Sequence, residues 1–161
     1  MITQERLKEV LHYNPDTGDL TWLKRIAVCV TVGTVLTGIT DRGYGRVKID
    51  GKTHKLHRLA WLYMHGSLPL EIDHINGKRA DNRAANLRSV SRSENQKNMS
   101  LSRHNKSGVS GVTWDKREQR FKARIGRKLF LGTFDNLFDA VCIRKSAELK
   151  HGYHENHGRT I

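Results

Sequence analysis

The side chains best equipped for chemistry lie between residues 73 and 95. Asp73 directly precedes His74, Asn86 follows 12 residues after the histidine, and Asn95 follows 21 after it. An imidazole titrates close to neutrality and can take a proton from an attacking water. Carboxylate and amide oxygens are hard donors. They suit Mg²⁺ or Mn²⁺ rather than zinc and leave coordination positions for water and phosphate. Such an ion can stabilise a pentacoordinate phosphorane and the departing 3′ oxygen. The side-chain carbonyl of Asn86 could fix the ring tautomer of His74. The chemistry these types point to is water attack on a phosphodiester.

These groups need elements to hold them. Ile72 to Ile75 reads as a short strand and Leu87 to Val90 as a second. Ser91 with Glu94 forms a capping box that opens a helix with Asn95 in its first turn. The order is strand, loop, strand, helix, with polar residues at the element ends. Upstream, Asp50-Gly51 lies between Val47-Lys48-Ile49 and Lys52-Thr53-His54, a hairpin signal because the turn needs positive φ. A helix runs from about His57 to His65 with Leu59, Ala60, Leu62 and Tyr63 inward, and Gly66 stops it. Nearer the N-terminus, Thr3 to His12 reads as a helix and Leu20 to Trp22 as a strand after a turn cluster. Gly33 to Gly38 and Tyr44 to Ile49 read as further strands.

Beyond a polar, basic stretch from Met99 to Ser107, read as a linker, the pattern changes to alternation. Phe121, Ala123 and Ile125 share one strand face, and Arg120, Lys122 and Arg124 the other. Gly126-Arg127 turns the chain and Lys128 to Leu131 returns it. Asn136 with Asp139 caps a helix that turns Leu137, Ala140, Val141 and Ala147 inward, and Gly152 ends it. Seven basic side chains (Lys116, Arg117, Arg120, Lys122, Arg124, Arg127 and Lys128) crowd this hairpin, which favours contact with a polyanion over a merely solvated face.

Charge and composition restrict the partner. The 161 residues carry 29 Lys and Arg against 16 Asp and Glu, a formal charge of +13. The excess is +1 in residues 1–50, +5 in 51–100 and +7 in 101–161. This concentration points to nucleic acid. Apolar residues make up only 37% of the chain, which fits small cores rather than a single large one. No apolar run approaches the ~20 residues of a membrane span. Met1 to Arg6 has no basic-then-apolar signal pattern, so the expected location is inside the cell. Cys29 and Cys142 read as reduced core residues.

The stretch Glu71 to Gly77, Asp81-Asn82, Asn86-Leu87-Arg88 and Ser91 to Gln96 resembles the HNH (ββα-metal) endonucleases, most closely the homing type of phages and introns. His57-Arg58-Leu59-Ala60-Trp61 looks like the helix that precedes the motif there. The resemblance implies His74 as general base, Asn86 as its orienter, and Asp73 and Asn95 as holders of one divalent ion, Mg²⁺ or Mn²⁺. It implies cleavage of double-stranded DNA to 5′-phosphate and 3′-hydroxyl ends. Arg88, His57 and Arg58 are candidate phosphate contacts. The last motif position is Asn95 where many HNH enzymes have histidine, which argues for a single hard-metal site and against zinc.

Ser107 to Trp114, the basic strand pair and Leu131-Gly132-Thr133-Phe134 are similar to an Apetala/ethylene-response-factor DNA-binding domain. That resemblance implies a sheet that contacts DNA through Arg117, Arg120, Lys122, Arg124, Arg127 and Lys128. Together the two cover roughly residues 44–158, and the pairing is one found in phage homing endonucleases. The expected fold is α+β. It has a small N-terminal β region (1–50), an HNH nuclease domain (51–100), a linker (101–106) and a three-stranded antiparallel sheet on one helix (107–161). One site per chain implies action as a monomer, with no membrane and no small-molecule cofactor.

A different class of function, a non-catalytic DNA-binding regulator with a relic nuclease fold, is disfavoured by the intact Asp73, His74, Asn86 and Asn95. An RNA-binding module fits the charge but lacks an aromatic platform. Trp114 suits either a core or a platform edge. His151, His154 and His157 read as a polar, fraying tail.

Overall fold

The computed structural model describes residues 2–41, 43–126 and 129–160. The chain forms two compact units, Met1–Arg92 and Ser93–Ile161. It is a mixed helix and strand protein built on small antiparallel sheets. Among the described residues no helix is long and apolar enough to cross a membrane.

In the first unit, α1 (Gln4–Val10) starts at Thr3, whose side chain accepts from the Arg6 N–H. Leu11 is already extended, so the helix ends earlier than its periodicity suggests and His12 joins β1 (Leu11–Tyr13). β1 pairs antiparallel with β2 (Leu20–Trp22). The segment 33–38, expected as a strand, follows β2 through Gly33 N–H to Trp22 C=O and Leu36 N–H to Leu20 C=O. It forms only the isolated bridge Thr21–Val35, because Gly33 enters it with a φ of +84°.

β3 (Arg46–Ile49) and β4 (Lys52–Lys55) close through Asp50 and Gly51, at φ +48° and +76°. Two successive positive φ values give a turn whose twist matches the hairpin. α2 (Leu56–His65) then buries Leu56, Leu59, Ala60 and Leu62 and stops at left-handed Gly66, whose N–H reaches the Leu62 carbonyl. That apolar face meets Leu7, Val10, Leu11, Leu20, Trp22, Ile49, Ile72 and Leu87 in one core. On this core rests the hairpin of β5 (Glu71–His74) and β6 (Leu87–Val90). A short helix α3 (Arg92–Gln96) follows β6.

In the second unit β7 (Val112–Asp115), β8 (Arg120–Ile125) and β9 (Leu129–Phe134) form an antiparallel sheet with β8 central. The sheet packs on α4 (Leu137–Lys150), which starts at Asn136, whose side-chain oxygen accepts from the Asp139 N–H. Val112, Ala123 and Ala140 are its apolar centre, flanked by Val109, Phe121, Leu131 and Phe134.

The inner stripe of α4 differs from the apolar one expected. Leu137 is exposed, and Ala140, Arg144 and Glu148 are buried at helical spacing. The Arg144 side chain is 2% exposed and pairs with Glu148 at 3.1 Å. Its Nε donates to the Ser110 carbonyl at 2.7 Å, and it lies 5.0 Å from the Tyr153 ring centroid. Gly111 makes room for it: a Cβ there would come within 2.8 Å of Arg144 Nε, and within 2.4 Å of the Arg124 carbonyl.

The C-terminal tail is ordered rather than frayed. His157 is buried with Nε2 at 3.3 Å from Arg144 Nη2 and 3.2 Å from Ser110 Oγ. Gly158 N–H donates to Met99 C=O, and Leu101 N–H to Arg159 C=O. These bonds tie the start of the expected linker to the tail. Cys29 and Cys142, expected in cores, are free and exposed.

Candidate active site around His74

β5 delivers Asp73 and His74 side by side, and the hairpin register sets Asp73 opposite Arg88 and His74 opposite Leu87. Both side chains are buried, Asp73 at 8% exposure and His74 at 4%. A carboxylate taken out of water needs a countercharge. Arg88 supplies it across the strands, donating from Nη2 and Nε to Asp73 Oδ2 at 2.8 and 3.1 Å. The candidate metal ligand and a candidate phosphate contact are therefore paired with each other.

The His74 ring has three neighbours of note. Nε2 lies 3.4 Å from Asn82 Oδ1. The His57 ring stands edge-on at 5.1 Å between centroids, and the Tyr44 ring lies at 6.1 Å. Burial pushes the imidazole below the usual histidine range. Asn82, Asp73 and Asp81 pull the other way, and Arg79 adds to the lowering. The ring is neutral at pH 7, the form that accepts a proton. His57 is buried as well, with Nδ1 lacking a hydrogen-bond partner. Burial first, then His74, Lys55 and Arg58, push it down to about 3, so at neutral pH it meets His74 as an uncharged ring.

Asn86, expected to orient His74, is buried in a 3₁₀ turn (Ala84–Asn86) and serves the loop. Its Oδ1 accepts from the Asn76 N–H at 2.9 Å and its Nδ2 donates to the Asp81 carbonyl at 2.8 Å. Its own carbonyl accepts from the Ile75 N–H. The amide oxygen that faces the ring is that of Asn82. Asp81 fixes the same loop, accepting from Asn76 Nδ2 at 2.7 Å and from Arg83 Nη2 at 2.6 Å, and the Arg83 guanidinium holds its carboxyl down at about 2.

The N-terminal region supports this loop. Tyr13 Oη donates to the Asn82 carbonyl at 2.7 Å, and Ala84 N–H donates to the Pro15 carbonyl. At Gly18, φ +81°, a Cβ would fall 2.5 Å from Arg83 N. Only glycine allows the β1–β2 turn to come this close. Asn82 lay inside the Asp81-Asn82 pair of the sequence motif, but its role depends on the distant Tyr13 and Pro15.

Asn95 lies on α3 in the second unit, and Arg58 is half-buried on α2 in the first. Asp73 offers a buried carboxylate and Asn95 an amide oxygen, each a hard donor. Mg²⁺ commonly takes one or two carboxylates and completes its shell with water and substrate phosphates. Among the described residues no three His, Cys, Asp or Glu side chains gather as a metal cage.

On the second unit, Arg117 and Arg124 are exposed. Arg120 pairs with Asp135 at 2.7 Å, and Lys122 with Asp115 and Glu118 at 2.7 and 2.6 Å. Trp114 is 43% exposed and stands edge-on to Phe121 at 4.7 Å. Arg127 and Lys128 lie outside the described residues.

Protein 3.8 of Escherichia phage T7 is 30% identical over 76 residues, which cover 46% of this chain and 63% of the phage protein. No solved structure matches the chain. Residues 54–97 match the family model described as HNH endonuclease, a span that runs from β4 to α3. The segment that holds Asp73, His74 and the loop around Asn82 is thus similar to the HNH endonucleases, which supports a nuclease-like role.

Proposed function

We propose that the protein is a divalent-metal-dependent DNA endonuclease of the phage homing type. The observation that carries this reading is the buried imidazole of His74, set between Asn82 and His57 beside the Asp73 carboxylate, inside the family-matched segment. His74 takes a proton from a water as the water oxygen bonds to phosphorus. The bond from phosphorus to the 3′ oxygen breaks, that oxygen gains a proton from solvent, and 5′-phosphate and 3′-hydroxyl ends result. Asp73 and Asn95 would hold one Mg²⁺ or Mn²⁺, which when bound supplies positive charge at the cleaved phosphate.

Arg88 belongs to the same step. It is paired with Asp73 in the protein and would be available to a DNA phosphate if a cation took its place at the carboxylate. Asn86 acts through the loop, holding the Asn76 and Asp81 backbone of the segment that presents Asn82 to the ring. The second unit provides most of the affinity. Its sheet resembles an Apetala-type module, with Arg117 and Arg124 exposed for phosphate or base contact. The protein works on double-stranded DNA as a monomer, so one site nicks one strand.

The test is a supercoiled plasmid. With Mg²⁺ or Mn²⁺ it relaxes or linearises, and with EDTA it stays supercoiled. Equal relaxation in EDTA contradicts the metal requirement.

A further inference from the structure

Tyr44 stands where an exposed lysine and a half-buried arginine meet the His74 ring. The Lys55 ammonium lies 4.9 Å from its ring centroid, and the Arg79 guanidinium carbon 5.1 Å. The same ring lies 5.2 Å from His57 and 6.1 Å from His74. Lys55 comes from the end of β4 and Arg79 from the loop after β5, so the two charges reach one aromatic side chain from chain segments on either side of α2. They can be no more than about 10 Å apart.

The backbone is shaped to put Tyr44 there. Thr40 N–H donates to the Tyr44 carbonyl at 2.8 Å, and Tyr44 N–H to Thr40 Oγ1 at 3.2 Å. Gly43, φ +78°, brings the turn against Arg79. At Gly45 a Cβ would lie 2.5 Å from Leu56 Cδ1, so only glycine lets the chain pass the start of α2. Two like charges brought this close repel each other. The negative face of the phenol ring offsets that repulsion, and an anion between them offsets it further. The mechanism above makes no use of either cation.

We propose that Tyr44 is a positioning residue: its ring holds Lys55 and Arg79 as a two-cation clamp for the phosphodiester backbone of the strand presented to His74. The ligand is a run of phosphates in one strand, gripped without regard to base sequence. This rests on the nuclease reading for which strand is held, but the clamp has a binding readout of its own.

The experiment measures affinity for a labelled DNA duplex by fluorescence anisotropy in a His74→Ala background, over salt from about 50 to 200 mM. Each phosphate contact contributes about 0.9 to the slope of log affinity against log salt. Tyr44→Leu should make the slope shallower by roughly 1 to 2, and Tyr44→Phe, which keeps the ring, should restore it. Lys55→Gln with Arg79→Gln should reproduce the Tyr44→Leu slope, and adding Tyr44→Leu to that pair should change it no further. In the active chain Tyr44→Leu should raise KM roughly tenfold.

A parental slope in Tyr44→Leu overturns the clamp, as does a Tyr44→Phe variant as weak as Tyr44→Leu, since the hydroxyl and not the ring face would then act. Circular dichroism checks that Tyr44→Leu folds. If it does not, the Lys55→Gln and Arg79→Gln pair decides, and a parental slope there is the contradicting result. Absence of cleavage by the parent in Mg²⁺ sinks the nuclease reading and leaves this slope measurement valid.

Discussion

Replacing Glu148 by alanine strands the guanidinium of Arg144 inside the second unit. The Arg144 side chain is 2% exposed and that of Glu148 8%, and their contact of 3.1 Å supplies the countercharge. What remains after the substitution is the bond from Nε to the Ser110 carbonyl, the 3.3 Å contact of Nη2 with the neutral His157 ring and the face of Tyr153, none of which carries a countercharge. Removing one partner of a buried pair typically costs about 3–5 kcal/mol, because the other charge is left uncompensated. A unit of this size has a total stability of only about 3–10 kcal/mol. The loss is therefore a large fraction of the whole.

Native-state hydrogen exchange of the β8 amides reads it directly. A cost near 4 kcal/mol corresponds to roughly 10³-fold faster exchange of amides that open only by global unfolding of the unit. The double variant Arg144→Met, Glu148→Leu removes both charges at similar volume and should lie within about 1 kcal/mol of the parent. If Glu148→Ala speeds exchange by less than about fivefold, Arg144 is not held by this pair and the packing argument for α4 fails.

Burial pushes His157 below its ordinary value of 6.5, with Arg144 and Lys145 reinforcing the shift and Glu148 opposing it. Unfolded chains then bind a proton that the folded unit resists, so stability is fully present above about pH 6.5 and declines as the pH falls below it. His157→Gln should flatten that decline, as measured by urea unfolding between about pH 5 and 7.5; an unchanged pH profile refutes the neutral burial of this ring. Arg117→Ala and Arg124→Ala should each make the salt dependence of DNA binding shallower by about 0.9, and unchanged slopes would remove both from the interface.

The sequence revealed those features whose causes are local. Gly66 marks the end of α2 and Asn136 the start of α4 because each satisfies backbone groups within one turn. Asp50-Gly51 forms its hairpin because both residues tolerate positive φ. The alternation of β8 appears in the burial of Ala123 and Ile125. The β5–β6 hairpin and the helix after it follow the strand, loop, strand, helix order read from residues 72–96.

What stayed hidden depends on long-range contact. Arg144 and Glu148 are not among the inward residues the apolar pattern gives α4, because nothing local reveals the space that Gly111 leaves for the guanidinium. His157 looked like tail residue until Ser110 and Arg144 surrounded it. Asn86 sat at the right interval to face His74. The fold instead gives its amide to the backbone of Asn76 and Asp81 and sets Asn82 on the ring. That choice is made by Tyr13 and Pro15, nearly seventy residues upstream of the loop they support.

The proposed metal-dependent DNA cleavage depends on His74 as its base. The most direct measurement is single-turnover cleavage of end-labelled duplex in Mg²⁺ by the parent and by His74→Ala, with duplex affinity measured alongside. His74→Ala should lose at least about 10²-fold in cleavage rate and keep its affinity for the duplex. Cleavage by His74→Ala at the parental rate contradicts it.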